Sequence, residues 1–297
     1  MWLHVRQLAL VALLAGAPSL AVAADDWQAQ VGEALGKTGA TAAGGIYRVG
    51  LPRTDLKVTL DGVELKAGFA LGSWLAFEKM GDSGMVMGDL VLTMDEVSPV
   101  MKKLVEGGIE VTALHNHLLR NQPFTMYMHI LGHGDPVKLA AALHTALGES
   151  KTPLAAASTP AAAPPPIDLD TAAIDQALGA KGTNNGGVYQ FGIPRAEPIK
   201  DSGMDVPAAM GSANAINFQP TGGGRAAITG DFVLIAKEVN PVMKALREHG
   251  IEVTALHNHM LDEEPRLFFM HFWANDDAKK LAEGLKAALA QINIAKT

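Results

Sequence analysis

Hydrophobic and polar positions pass through the same succession of patterns twice along this chain. "GGIYRVGLPR" from Gly44 and "GGVYQFGIPR" from Gly186 alternate with period two, as strands do. "GDLVLTMDEV" from Gly88 and "GDFVLIAKEV" from Gly230 read as strands as well. A helix follows each, with Val97, Val100, Met101 and Leu104 at helical spacing in the first. Its punctuation predicts Ser98 or Asn240 as N-cap, Pro99 or Pro241 at the first helical position, and Gly107 or Gly250 at the end. "DWQAQVGEALG" and "DTAAIDQALG" predict short opening helices capped by Asp and closed by Gly. "DPVKLAAALHTALG" and "DDAKKLAEGLKAAL" predict amphipathic closing helices. Between the helices lie "GIEVTALHNHLLRNQPFTMYMH" (108–129) and "GIEVTALHNHMLDEEPRLFFMH" (250–271), each patterned as a β-hairpin.

The two successions stand at a constant offset of 142 positions, apart from a segment around Gly72-Ser73 and Gly211-Ser212 that aligns with a slip of three. A unit of about 120 residues repeated once is a tandem duplication, not a solenoid. The predicted fold class is α+β: a mixed or antiparallel sheet unit with flanking helices, present twice and packed about a pseudo-twofold axis. Residues 25–149 form the first repeat and 168–297 the second. The Ala/Pro-rich 150–167 between them, with Pro164-Pro165-Pro166, reads as an exposed, extended linker.

Composition narrows the function. Hydrophobic residues make up 48% and charged residues 19%, enough apolar material for packed cores. A net charge of -7 offers no basic footprint for nucleic acid. Residues 1–24 read as a signal peptide: Arg6, the apolar "LALVALLAG", then Ala21-Val22-Ala23 as a small-residue cleavage site. The expected location is periplasmic or secreted, with no stable membrane span after processing, and no Cys follows the leader for lipid attachment. Cysteine is absent, which excludes disulfides, thiolate metal sites and a Cys nucleophile.

The chemistry sits on the hairpins. The ten letters from Gly108 to His117 recur unchanged from Gly250 to His259, and a third His returns at 129 and 271 although the residues between have drifted. On a strand His115 and His117 share a face. A three-residue loop at Asn121-Gln122-Pro123 would set His115 directly across from His129, with Cβ atoms roughly 5 Å apart. His115, His117 and His129, and likewise His257, His259 and His271, would then form a three-imidazole metal site with an open position. The alternative is a hydrogen-bonded polar cluster. Zn²⁺ is the expected divalent metal, since neutral imidazoles suit it and no thiolate competes; Cu²⁺, Ni²⁺ and Fe²⁺ accept the same ligands. The letters "HNH" do not signal the nuclease of that name, whose residues are spread over a ββα unit on a basic protein.

Other polar positions are weighed beside these. Glu96 and Glu238 read either as a fourth ligand or general base, or as helix-terminus charges favoured by the dipole. Asp89 and Asp231 read as turn residues at a strand start, and Arg53 and Arg195 as surface-turn residues or holders of an anionic ligand. His133 and His144 have Asn275 and Lys286 as counterparts and fall outside the repeated set. The methionines, Met126 and Met128 among them, read as core filler rather than thioether copper ligands.

With "EVTALHNH" in both copies, flanked by "EVSPVMKKL" and "EVNPVMKAL", the chain resembles the exported bacterial LppY/LpqO family over nearly all of its length except the linker. That resemblance implies no biochemical role. A His-x-His strand followed by a third His is also similar to the zinc site of acetolactate decarboxylase, although the "GGH" context of the third His is missing. That similarity implies three His as metal ligands and Glu96 or Glu238 assisting. Three functions stay open: an exported metal-binding protein, a metal-dependent hydrolase or lyase acting on a small carboxylate-bearing substrate, and a non-catalytic interaction module.

Overall fold

The structure, a computed structural model, describes residues 26–154 and 164–295. The expected signal peptide and the middle of the expected linker lie outside the described residues. The first copy runs α1 (Trp27–Leu35), β1 (Ala40–Thr41), β2 (Tyr47–Pro52), β3 (Thr59–Leu60), β4 (Val63–Glu64), α2 (Ala67–Ala70), β5 (Gly72–Met80), β6 (Ser83–Thr93), α3 (Met94–Glu106), β7 (Glu110–His115), β8 (Thr125–Gly134) and α4 (Pro136–Leu147). The second runs α5 (Thr171–Leu178), β9 (Thr183–Asn185), β10 (Val188–Pro194), β11 (Lys200–Asp201), β12 (Met204–Asp205), β13 (Ala213–Gly222), β14 (Arg225–Ile235), α6 (Ala236–Glu248), β15 (Glu252–His257), β16 (Glu263–Glu264), β17 (Leu267–Asp277) and α7 (Ala278–Leu289). Each copy builds a six-stranded antiparallel sheet, ordered β1-β2-β5-β6-β8-β7 in one and β15-β17-β14-β13-β10-β9 in the other. The α+β duplication is therefore the architecture of the molecule.

Period-two patterning in the central strands explains how the sheets are used. In β6, Val86, Leu90 and Leu92 pack against Val31, Val100, Leu104 and Leu143 of the helices. The alternate residues Met85 and Met87 pack with Val233, Met260 and Phe269 of the other copy. Val91 joins Leu118, Tyr127, Ala227 and Trp273 in a further shared cluster. Nearly every residue of β6 is buried because both faces are covered. The layers run helices, sheet, sheet, helices, and the two sheets meet across the interior.

Several sequence expectations are corrected here. The helices α3 and α6 begin at Met94 and Ala236, a turn before the prolines, so Pro99 and Pro241 lie inside them. The backbone N–H groups of Thr93 and Ile235 donate to Glu96 and Glu238 at 2.9 and 3.0 Å, which fixes the true starts. The copies align through Ser73 and Asn214, whose side chains accept from the N–H of Val91 and Val233, so the slip is one residue rather than three. The near end of the expected linker is packed: Thr152 is buried and Leu154 lies against the first core.

Candidate metal centre

The hairpins place all six repeated histidines in one layer between the sheets. β7 pairs with β8 so that Ala113 faces His129 and His115 faces Tyr127, two residues away from the predicted register. The ladder stops at His115 because Asn116 leaves it, its amide donating to Leu118 O at 3.2 Å and to Thr254 O of the other copy at 3.1 Å. A shift of two preserves side-chain parity, so the three imidazoles still share a face. Thr112 and Thr254 sit at register shifts of β7 and β15, and their hydroxyls donate to the carbonyls of His259 and His117. These contacts are reciprocal between the copies, as across a twofold axis.

The histidines interleave rather than segregate by copy. His115 stacks on His257 with ring centroids 3.4 Å apart, His117 on His271 at 3.7 Å, and His129 on His259 at 3.6 Å. Two groups bring their ligand atoms within 4.8 Å of one another: His115, His117, His129 and His259, and His117, His257, His259 and His271. Each group draws on both copies, and both groups contain His117 and His259. Each group holds the three histidines expected of one repeat and adds one from the other copy, so the two expected sites adjoin and share His117 and His259.

Every one of the six Nε2 atoms is buried and has no hydrogen-bond partner. The Nδ1 atoms of His115, His257 and His271 lie 3.3, 3.1 and 2.9 Å from the carbonyls of Asn116, Asn258 and Gly230. A ring that gives its Nδ1–H to a carbonyl presents an Nε2 lone pair, the arrangement of metal-binding histidines. A buried polar cluster held by its own hydrogen bonds would leave no such set of orphaned nitrogens. The donor set fits a divalent transition metal that favours imidazole.

Asp89 and Asp231 stand beside these histidines, contrary to the turn role expected of them, although neither candidate group includes them. They lie mid-strand in β6 and β14, and their carboxylates stand 3.8–3.9 Å from Nε2 of His117 and His129, and of His259 and His271. That spacing is too long for a hydrogen bond, and Oδ1 of each aspartate is unpartnered. The preceding glycines explain the repeated Gly-Asp pair. A Cβ at Gly230 would come 2.0 Å from Ala215 O, and one at Gly88 2.7 Å from Trp74 O. Burial pushes Asp89 up to about 8 against the pull of Arg48, and burial with the nearby Asp89 raises Asp231. Burial holds His115 down to about 3, with His257 adding to the effect, and His257 down to about 4.

Glu96 and Glu238 stand outside both groups. Arg53 donates to Glu96 at 2.7 and 3.1 Å, and Arg195 to Glu238 at 2.6 and 3.1 Å. Each arginine is buried and also engages Asp55 or Glu197 and a strand carbonyl. The same glutamates accept from the N–H of Lys151 and Asn293 in the tail of each copy. These residues tie helix start, strand and tail together, so Arg53 and Arg195 are neither surface-turn residues nor free to hold a ligand.

A cleft of about 510 Å³ opens onto the centre between β2 and β5 of one copy and β10 and β13 of the other. His117, His129, His259, His271, Asp89 and Asp231 lie along it. Arg48 and Trp74 line one wall, the guanidinium 4.2 Å over the indole. Arg48 donates to Ala209 O and, among the described residues, hydrogen-bonds no carboxylate. Neither residue has a like counterpart in the second copy, where Gln190 and Ala215 stand, and the sequence carried no signal for them.

Among solved structures, the chain is similar to a trimeric bacterial microcompartment shell protein, PduB, at 13% identity over 86% of this chain and 95% of that one, with a TM-score of 0.21. It is also similar to EtuB from Clostridium kluyveri, at 11% identity over 84% and 90%, with a TM-score of 0.19. Likeness at those TM-scores carries no argument. No curated protein matches the sequence. A family profile matches residues 29–149 and again 172–291, one match to each copy. The chain thus belongs, twice over, to the family described as Domain of Unknown Function (DUF1259).

Proposed function

We propose that this is an exported protein that binds a divalent transition metal, Zn²⁺ first among them, at the composite six-histidine centre between its copies. The observation that carries the reading is the set of six buried Nε2 atoms without partners. Orphaned nitrogens cost stability unless something takes their lone pairs, and a cation does so for all of them together. Ligands shared between the groups support one centre of one or two ions rather than two independent sites. Protein purified without chelator or affinity tag should carry one or two equivalents of metal per chain by elemental analysis. Metal-free protein that fails to take up Zn²⁺ would sink the reading. Export rests on the leader, and mass spectrometry of the mature chain should find an N-terminus near Ala24 or Asp25.

A second reading, a metal-dependent hydrolase or lyase acting on a small carboxylate-bearing substrate, is favoured by the cleft. Its volume is in the range of small-molecule sites, and Arg48 offers free donors beside the histidines. A bound metal would supply Lewis acidity there. Arg48 would hold the carboxylate as a planar fork, and Asp89 would hold or release a proton beside it. Lactate should bind the zinc-loaded protein at least tenfold more tightly than lactamide, and Arg48→Gln should erase the difference. Equal binding of the two would leave the metal-binding reading alone in place.

A further inference from the structure

A second cleft between the copies, of about 450 Å³, lies away from the histidines. Met80, Glu110 and Leu131 of the first copy and Asp201, Met204 and Asp262 of the second line it. Asp201 is only 1% exposed, and its Oδ2 has no partner. Glu110 and Asp262 are exposed at the rim. Burial raises the pKa of Asp201, a hydrogen bond with Ser202 lowers it, and Asp262 and Glu110 raise it against the pull of His133, so three acids and one imidazole share the cleft. Carboxylates that face one another in a half-buried cleft call for a cation.

The pseudo-symmetry identifies the cation. At the equivalent place in the other half, Arg120 stands where Asp262 stands here. It donates to Asp61 at 3.2 and 3.0 Å and to Glu252 at 3.1 and 2.7 Å. Glu252 is the counterpart of Glu110. Asp61 is that of Ser202, each being a non-glycine residue of positive φ, 48° and 50°. Here the arginine has become an aspartate, the acid corresponding to Glu252 remains, and Asp201 adds another where the first copy has the buried Leu60. One half carries its own guanidinium, and the other has the acids without it.

We propose that this cleft binds a small molecule bearing a guanidinium group, seated between Asp201, Glu110 and Asp262 as Arg120 is seated between Asp61 and Glu252. Its carbon stem lies along Met80, Leu131 and Met204. A bare metal ion fits less well, since among the described residues neither the three acids nor His133, which also lines the cleft, form a group within ligand distance. A guanidinium reaches such a site either on a free metabolite or on an arginine side chain of another protein.

Isothermal titration calorimetry of the full chain with agmatine tests this, with neutral butylurea as control. Saturable agmatine binding is expected, with butylurea at least tenfold weaker. Asp201→Leu and Asp262→Arg install the residues of the other copy, and each should weaken agmatine at least tenfold. Two variants, one at a rim position, keep the test alive if Asp201→Leu misfolds. The peptide Gly-Arg-Gly binding more tightly than agmatine would assign the source to a partner's arginine, with the chemistry unchanged. Butylurea equal to agmatine, agmatine binding unaffected in both variants, no binding at all, or calcium displacing agmatine at lower concentration would each overturn the proposal. Metal content of the same samples reports on the histidine centre separately.

Discussion

His117 and His259 belong to both candidate groups, whereas His115 and His129 enter only one. The double variant His117→Ala/His259→Ala should therefore drop metal content to background, and His115→Ala should spare the group that lacks it. Equal losses in the two variants would contradict shared ligation. In the metal-free protein the same residues set a pH dependence with two arms. The six histidines have folded pKa values below 6.5, so as pH falls through 6.5 the unfolded chain takes up protons that the folded one refuses, and stability drops. Asp89 and Asp231 have raised values, Asp89 about 8, so the folded state holds protons that the unfolded chain has released, and stability drops as pH rises toward 8. Thermal melts of the metal-free protein should show a maximum near neutral pH, about 6–7. A monotonic rise from pH 5 to 8 would contradict it.

Among the elements, the helix starts show how sequence signals compete. Pro at the first helical position is a strong cue, yet Glu96 and Glu238 begin their helices a turn earlier because each closes a buried pair with Arg53 or Arg195. Arg53→Ala leaves Glu96 buried without its cation, and should cost about 3–5 kcal/mol of unfolding free energy. Denaturant melts measure the cost. Metal content should be unchanged, and a loss of metal in that variant would return Glu96 to the candidate centre. The hairpin register is the other instructive element. Alternation along β7 and β8 gave the shared face of His115 and His129, while the loop length, and with it the two-residue shift, depended on Asn116 bonding to the other copy.

The whole molecule behaves as a dimer contained in one chain. Neither copy has its sheet covered on both faces alone, since Met85, Met87 and Leu131 pack against Val233, Met260 and Phe269. Residues 164–297 expressed alone should be metal-free as a monomer and regain metal only on self-association, as read by size-exclusion chromatography with metal detection. A monomeric, metal-loaded half would show that one copy suffices. Among the described residues, no helix is long and apolar enough to cross a membrane.

The sequence by itself determined the duplication, the order and type of the main elements, and the gathering of three histidines on each hairpin face. All of these follow from local periodicity and from spacing within one supersecondary unit. Tertiary structure alone decided that the two faces meet, so that six imidazoles lie together in two overlapping groups with Asp89 and Asp231 beside them. It also decided that Arg53 and Glu96 neutralise each other while Arg48, among the described residues, hydrogen-bonds no carboxylate. Period two says which side chains share a face, and nothing about what that face will meet. A charged letter does not name its partner, because the partner is fixed by packing between segments far apart in the chain.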